Sequence, residues 1–168
     1  MTVHPAASDE SLLLRDCQIV RTRRSGPGGQ HRNKVETAIV IEHLPTGVRA
    51  EANERRSQEQ NRKVAVRRLR VNLALQIRAT SSPAATPSET WLARREGDRL
   101  RVSLNNPSFP AILAEALDCI AHHDFDTVAA ATQLGVSTSQ LVKLLKVEDR
   151  ALQRVNQQRV DRGLRALQ

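Results

Sequence analysis

Gly28, Gly29 and Gln30 follow one another inside the glycine-rich run Ser25-Gly26-Pro27-Gly28-Gly29-Gln30. Two residues without a Cβ tolerate positive φ and let the main chain come close to another molecule. A backbone N–H brought that close can stabilise developing negative charge, which is the chemistry of an oxyanion hole and needs no side-chain nucleophile, carboxylate pair or metal. A flexible loop explains the same composition, and the bare triplet does not choose between the two.

Other residues carry weaker chemistry. His122-His123 with Asp124 and Asp126 are of metal-ligand type, but neighbours on a helix point about 100° apart and a site needs converging ligands from elsewhere. Cys17 and Cys119 lie far apart with no second Cys or His at ligand spacing, so they are expected to be small buried hydrophobes, not a zinc site or a disulfide. Neither a metal nor another cofactor is expected.

The chain has 168 residues, with 26 Lys plus Arg against 18 Asp plus Glu and a net charge of +8. Residues 1–80 hold 15 basic and 8 acidic residues, whereas residues 81–168 hold 11 and 10. The first half is therefore the polyanion-facing one. With two Phe, one Trp and no Tyr, base stacking is nearly excluded and any nucleic acid must be met by charge. No run approaches the roughly 18–20 apolar residues of a bilayer span, and Met1 to Glu10 lacks the pattern of a signal peptide. The expectation is a cytoplasmic monomer without membrane contact.

The elements around the glycine run are legible. Ser8 to Asp16 suits a short helix capped by Ser8, and Gln18 to Thr22 a strand. Thr37 to Leu44 and Val48 to Ala52 read as a hairpin turned at Leu44-Pro45-Thr46-Gly47. Ser57 with Gln60 forms a capping box, after which Val66, Leu69, Leu73 and Ile77 share a helical face and Arg62, Lys63, Arg67, Arg68, Arg70 and Arg78 take the others. Small residues and prolines at 79–88 interrupt periodicity. The division expected is therefore 1–80, a linker at 81–88, and a helical unit at 89–168. In that unit a short basic strand falls within Arg94 to Val102 and helices begin at Asn106, Asp126, Ser137 and Ala151. Trp91 is expected to anchor packing between the halves.

The wider run changes the meaning of the glycines. Arg24 to Lys34, Thr37-Ala38, His43 to Gly47, Glu54-Arg55-Arg56-Ser57-Gln58 and Asn61 together resemble the catalytic domain of class I peptide chain release factors and stand-alone ribosome-rescue hydrolases, from about Asp16 to Ile77. The resemblance implies an α+β fold, a short antiparallel sheet packed by a long basic helix. It also implies hydrolysis of the peptidyl-tRNA ester in the ribosomal peptidyl transferase centre. Gly28 and Gly29 would thread into ribosomal RNA, the Gln30 main-chain N–H would hold the oxyanion, and its side chain would shape the water pocket. Arg23, Arg24, Arg32, Lys34, Arg55, Arg56, Ser57, Gln58, Arg62, Lys63, Arg67, Arg68 and Arg70 are the candidate RNA contacts, although a helix cap alone accounts for Ser57.

Ala130 to Ser137 with Leu141 and Leu144 resembles a helix-turn-helix, which would expose Ser137, Thr138, Ser139, Gln140 and Lys143 to nucleic acid. A plain packing unit gives the same pattern. The reading reached is codon-independent peptidyl-tRNA hydrolysis on stalled ribosomes. Its rivals are a ribosome- or RNA-binding factor that releases nothing and a DNA-binding helix-turn-helix regulator, the latter disfavoured by where the charge sits.

Overall fold

The computed structural model of the protein describes residues 3–22, 37–80 and 83–168. A 3-10 turn at Pro5–Ala7 leads into helix α1 (Glu10–Arg15). Strands β1 (Cys17–Thr22), β2 (Ala38–His43) and β3 (Val48–Ala52) then form an antiparallel sheet in that spatial order. The β2–β3 turn closes with the Gly47 N–H on the His43 carbonyl, and Gly47 has φ 67°, a left-handed conformation that glycine adopts without strain.

Helix α2 (Gln58–Gln76) begins at Ser57, whose hydroxyl accepts the Gln60 N–H at 3.4 Å. Such caps are worth about 1 kcal/mol. The helix packs on β2 and β3. Register supplies the surface it covers: Ile39 pairs with Ala52, Ile41 with Ala50 and His43 with Val48, and period-two alternation keeps these buried residues on one face.

The second half comprises α3 (Glu89–Leu92), a hairpin of β4 (Arg95–Glu96) and β5 (Arg99–Leu100), and four helices: α4 (Phe109–His122), α5 (Thr127–Leu134), α6 (Thr138–Val147) and α7 (Asp149–Asp161). Asp126 caps α5 by accepting from Val128 and Ala129, and Gly135 ends it at φ 66°. Ser137 caps α6 through the Gln140 N–H.

The architecture is the α+β arrangement the sequence implied, with displaced boundaries. Ser8 closes the 3-10 turn, so α1 starts later, at Glu10. The basic stretch expected as one strand is a hairpin, reversed at Gly97 with φ 61°. Residues 89–92 form a helix because Ser88 caps it through the Trp91 N–H. The α4 helix begins at Phe109, because Asn106 Oδ1 accepts the Ser108 N–H and holds a turn ahead of it.

Apolar side chains of both halves join one buried cluster. The α2 helix contributes two sets to it: Ala65, Val66, Leu69 and Leu73, and then Val71, Ala74 and Leu75. Burial on more than one side follows from its contacts with α4 as well as with the sheet. Trp91 is wholly buried, and its indole N–H donates to the Leu134 carbonyl at 3.0 Å.

Candidate functional site

Gly28, Gly29 and Gln30, with Arg23, Arg24, Arg32 and Lys34, lie outside the described residues. The described residues define the frame on either side. Thr22 at the end of β1 pairs with Ala38 at the start of β2, so the chain leaves the sheet and returns to it at neighbouring positions. Thr22 Oγ1 is buried and is the one side-chain oxygen or nitrogen among the described residues in that situation without a partner.

Asn61 fixes the returning side. It is fully buried in the first turn of α2. Its Nδ2 donates to the Thr37 carbonyl at 2.7 Å and to the Arg55 carbonyl at 2.9 Å, and its Oδ1 accepts the Arg55 N–H at 2.9 Å. One side chain thus binds three backbone groups, from the residue before β2 and from the segment before α2. Asn61 stands on the helical row of Ala65, Leu69 and Leu73, and a polar residue on a buried row is the signal by which this role can be found.

Glu54 organises the segment before α2. Burial works against its ionisation, but N–H bonds from its own backbone and from Asn53, followed by the Arg68 guanidinium, hold its carboxyl below the ordinary value. The Arg68 pair is 2.7 Å long and solvent-exposed, which limits its contribution to about 0–1 kcal/mol.

The basic residues in and around α2 separate into two kinds. Arg67 binds the Leu104 carbonyl and Asn105, Arg70 binds the Ala6 carbonyl, and Arg78 pairs with Asp118 at 2.9 Å. Burial lowers the pKa of both Arg70 and Arg78, against the opposing pull of nearby carboxylates. From the other direction, Arg150 reaches Asn72 and Arg154 reaches the Leu75 carbonyl. Arg78, Arg150 and Arg154 fasten helices of the second half to α2 and its end, Arg67 holds the loop at residues 104–105, and Arg70 holds the 3-10 turn, all with partners too distant in sequence for any local pattern to reveal. Arg55, Arg56, Arg62 and Lys63 have no side-chain partner among the described residues and gather around the start of α2. Ser57 is exposed and caps the helix, while Gln58 is half-buried.

The helix-turn-helix candidates are held unevenly. The Ser137 N–H donates to the Asp98 carbonyl, and Gln140 Oε1 accepts the Leu100 N–H, so the β4–β5 hairpin sits at the start of α6. Thr138 is half-buried, and Ser139 and Lys143 remain exposed. His123 hydrogen-bonds Gln133 at 2.6 Å, and no group of metal-ligating side chains is found among the described residues. Cys119 is buried and Cys17 half-buried. Burial pushes the Cys119 thiol up to about 11.

Comparison with known proteins bears on this frame. The model of the RF-1 domain matches residues 9–104, past the expected end of the resemblance and through the hairpin. The peptide chain release factor 1 of Xylella fastidiosa (strain 9a5c) is 46% identical over 77 residues, 46% of this chain and 21% of the relative. That of Acidiphilium cryptum (strain JF-5) is 43% identical over 84 residues, 49% of this chain and 24% of the relative. A mitochondrial peptide chain release factor 1-like protein of Rattus norvegicus is 46% identical over 75 residues, 44% of this chain and 20% of the relative. The chain therefore matches a quarter or less of the length of these relatives.

Proposed function

The chain belongs to the RF-1 domain family, and on that ground we propose that it hydrolyses the ester of peptidyl-tRNA on stalled ribosomes, without reading a codon. The observation that supports ester hydrolysis is the family match, whose span of residues 9–104 includes the glycine-rich run; independence of the codon is decided by release on three kinds of message.

In the proposed reaction, water attacks the ester carbonyl carbon, the bond to the tRNA ribose oxygen breaks, and the peptide leaves as an acid with the tRNA hydroxyl restored. Gly28 and Gly29 let the main chain approach, and the Gln30 N–H faces the oxyanion. A preorganised donor of that kind is worth roughly 2.7–4 kcal/mol. The Gln30 side chain shapes the space for water. Arg55, Arg56, Arg62 and Lys63 are the RNA contacts best supported, because their side chains have no partner among the described residues and Arg fits phosphate bidentately.

In the same reading residues 1–80 carry the chemistry, residues 89–168 direct the protein to its ribosome, and residues 81–88 join them. The ribosome and peptidyl-tRNA are the partners of a cytoplasmic monomer. No helix among the described residues is long and apolar enough to cross a membrane. A DNA-reading role for α6 is weakened by the ties of Ser137 and Gln140 to the hairpin.

The test uses ribosomes bearing labelled peptidyl-tRNA with a truncated message, a sense codon or a stop codon in the adjoining site. Release on the truncated message at a rate that a stop codon does not raise is the expected result. Release confined to the stop codon would replace rescue by codon-directed termination, and binding without release on all three would leave a non-catalytic factor.

A further inference from the structure

We propose that the outward face of the β4–β5 hairpin and the solvent stripe of α6 form a second phosphate-binding surface for RNA, separate from the cations at the start of α2. The proposal rests on the ribosomal reading above for its biological setting, and its test does not.

Strand alternation decides which side chains face outward. Arg95 pairs with Leu100, and Glu96 with Arg99. Arg95 donates to the Gly135 carbonyl and Leu100 is half-buried against the core, so this pair faces inward to the α5–α6 turn. Alternate residues point the other way. Arg94, Glu96, Arg99 and Arg101 therefore share the outward face, and the Arg101 N–H continues the ladder to the Arg94 carbonyl. Glu96 is taken by Arg101 at 3.0 Å. Arg94 and Arg99 are exposed and have no side-chain partner among the described residues.

On α6, Leu141, Leu144 and Leu145 are buried. Ser139, Lys143 and Lys146, spaced four and three apart, occupy the opposite stripe and are exposed. Neither lysine has a partner among the described residues. The Leu100–Gln140 and Asp98–Ser137 hydrogen bonds bring the hairpin against the start of this helix.

Within residues 83–168, the side chains of Arg95, Arg101, Arg150, Arg154, Arg159 and Arg162 each bind a carbonyl, an amide or a carboxylate of the protein itself, and those of Arg94, Arg99, Lys143 and Lys146, with Arg165 near the C-terminus, have no such partner among the described residues. Cations left unpaired beside cations that are paired point to a polyanion outside the chain. Of the hairpin's carboxylates Glu96 is held by Arg101 and Asp98 is exposed at the turn, and no exposed aromatic residue lies among these cations, so the chemistry they offer is contact with phosphate and not base stacking. Because Ser137 and Gln140 are already bonded to the hairpin, α6 is not free to insert its first turn into a groove. The surface reads backbone charge. Arg67 ties residues 104–105 to α2, so both cationic clusters sit on one body and can bind a single large RNA together.

The test titrates the full chain against a labelled 20-base-pair RNA duplex and against purified 70S ribosomes, each over a range of salt. The variant combines Arg94→Gln, Arg99→Gln, Lys143→Gln and Lys146→Gln. These four side chains are exposed, and an unchanged thermal unfolding curve confirms its fold. The slope of log affinity against log salt is expected to become shallower by about three, at roughly 0.7–0.9 for each phosphate no longer neutralised, with at least a tenfold weaker affinity at low salt. A second variant, Arg94→Lys with Arg99→Lys, keeps the charge and is expected to keep the slope. Wild-type affinity and slope in the quadruple variant on both probes would overturn the proposal, as would absence of duplex binding by the wild type. Hydrolysis plays no part in the readout, so a shallower slope in a protein that releases no peptide would refute the enzymatic reading while leaving this surface standing.

Discussion

Asn61 Nδ2 donates to the Thr37 carbonyl across 2.7 Å, joining the first turn of α2 to the residue at which the chain returns to the sheet. Removal of that side chain leaves two carbonyls and the Arg55 N–H without their partner. Asn61→Ala is therefore expected to cost at least about 2 kcal/mol in chemical denaturation. Asn61→Asp is nearly isosteric but presents a carboxylate to the two carbonyls, so it is expected to be no more stable than Asn61→Ala. A wild-type-like Asp variant would reduce Asn61 to a space-filling role.

Trp91 donates its indole N–H to the last carbonyl of α5. Trp91→Phe keeps most of the apolar contact and removes the donor, and the expected loss is about 1–3 kcal/mol, followed by circular dichroism. Since the chain has one tryptophan, emission from the wild type reports the exposure of this same residue during unfolding. A Phe variant of unchanged stability would show that the hydrogen bond contributes nothing net.

His4 accepts the Ala6 N–H at Nδ1, 3.0 Å, and its Nε2 lies 3.2 Å from the Ile77 carbonyl. That arrangement suits the neutral ring with its proton on Nε2. Burial lowers its pKa and so does the Arg78 charge, while the Ile77 carbonyl and Asp118 oppose them. A base whose pKa is lowered on folding binds fewer protons in the folded state, so its contribution to stability is present above the ordinary histidine value, near 6.5, and is lost as pH falls below it. His43, lowered chiefly by burial, acts in the same direction. Stability is expected to decline from pH 6.5 towards 5, less steeply in His4→Gln. An identical slope in that variant would exclude His4 as a source.

The sheet, the β2–β3 turn and the caps at Ser57, Asp126 and Ser137 were legible because each rests on local chemistry: alternation, a turn glycine, or a hydroxyl or carboxylate three residues from the N–H it accepts. The docking of the two halves was less so. One face of α2 was read from Val66, Leu69, Leu73 and Ile77, yet Val71, Ala74 and Leu75 mark a second buried side, and their presence is a sign that another element covers the helix. The arginines deceived for a related reason. A guanidinium that binds Asp118 or the Leu75 carbonyl looks in sequence like one that faces solvent, because its partner is set by tertiary contact. The hairpin over α6 depends likewise on Gly97 and on backbone bonds to Ser137 and Gln140, whose partners no local pattern names.

If the Gly28-Gly29-Gln30 run carries ester hydrolysis, the most direct measurement is single-turnover peptide release from stalled ribosomes by wild type and by Gly29→Ala. An added Cβ at a position that must approach RNA closely is predicted to slow release by orders of magnitude, with fold and ribosome affinity retained. Gln30→Ala, which keeps the main-chain N–H, is predicted to lose less. Equal release rates for wild type and Gly29→Ala would contradict the account.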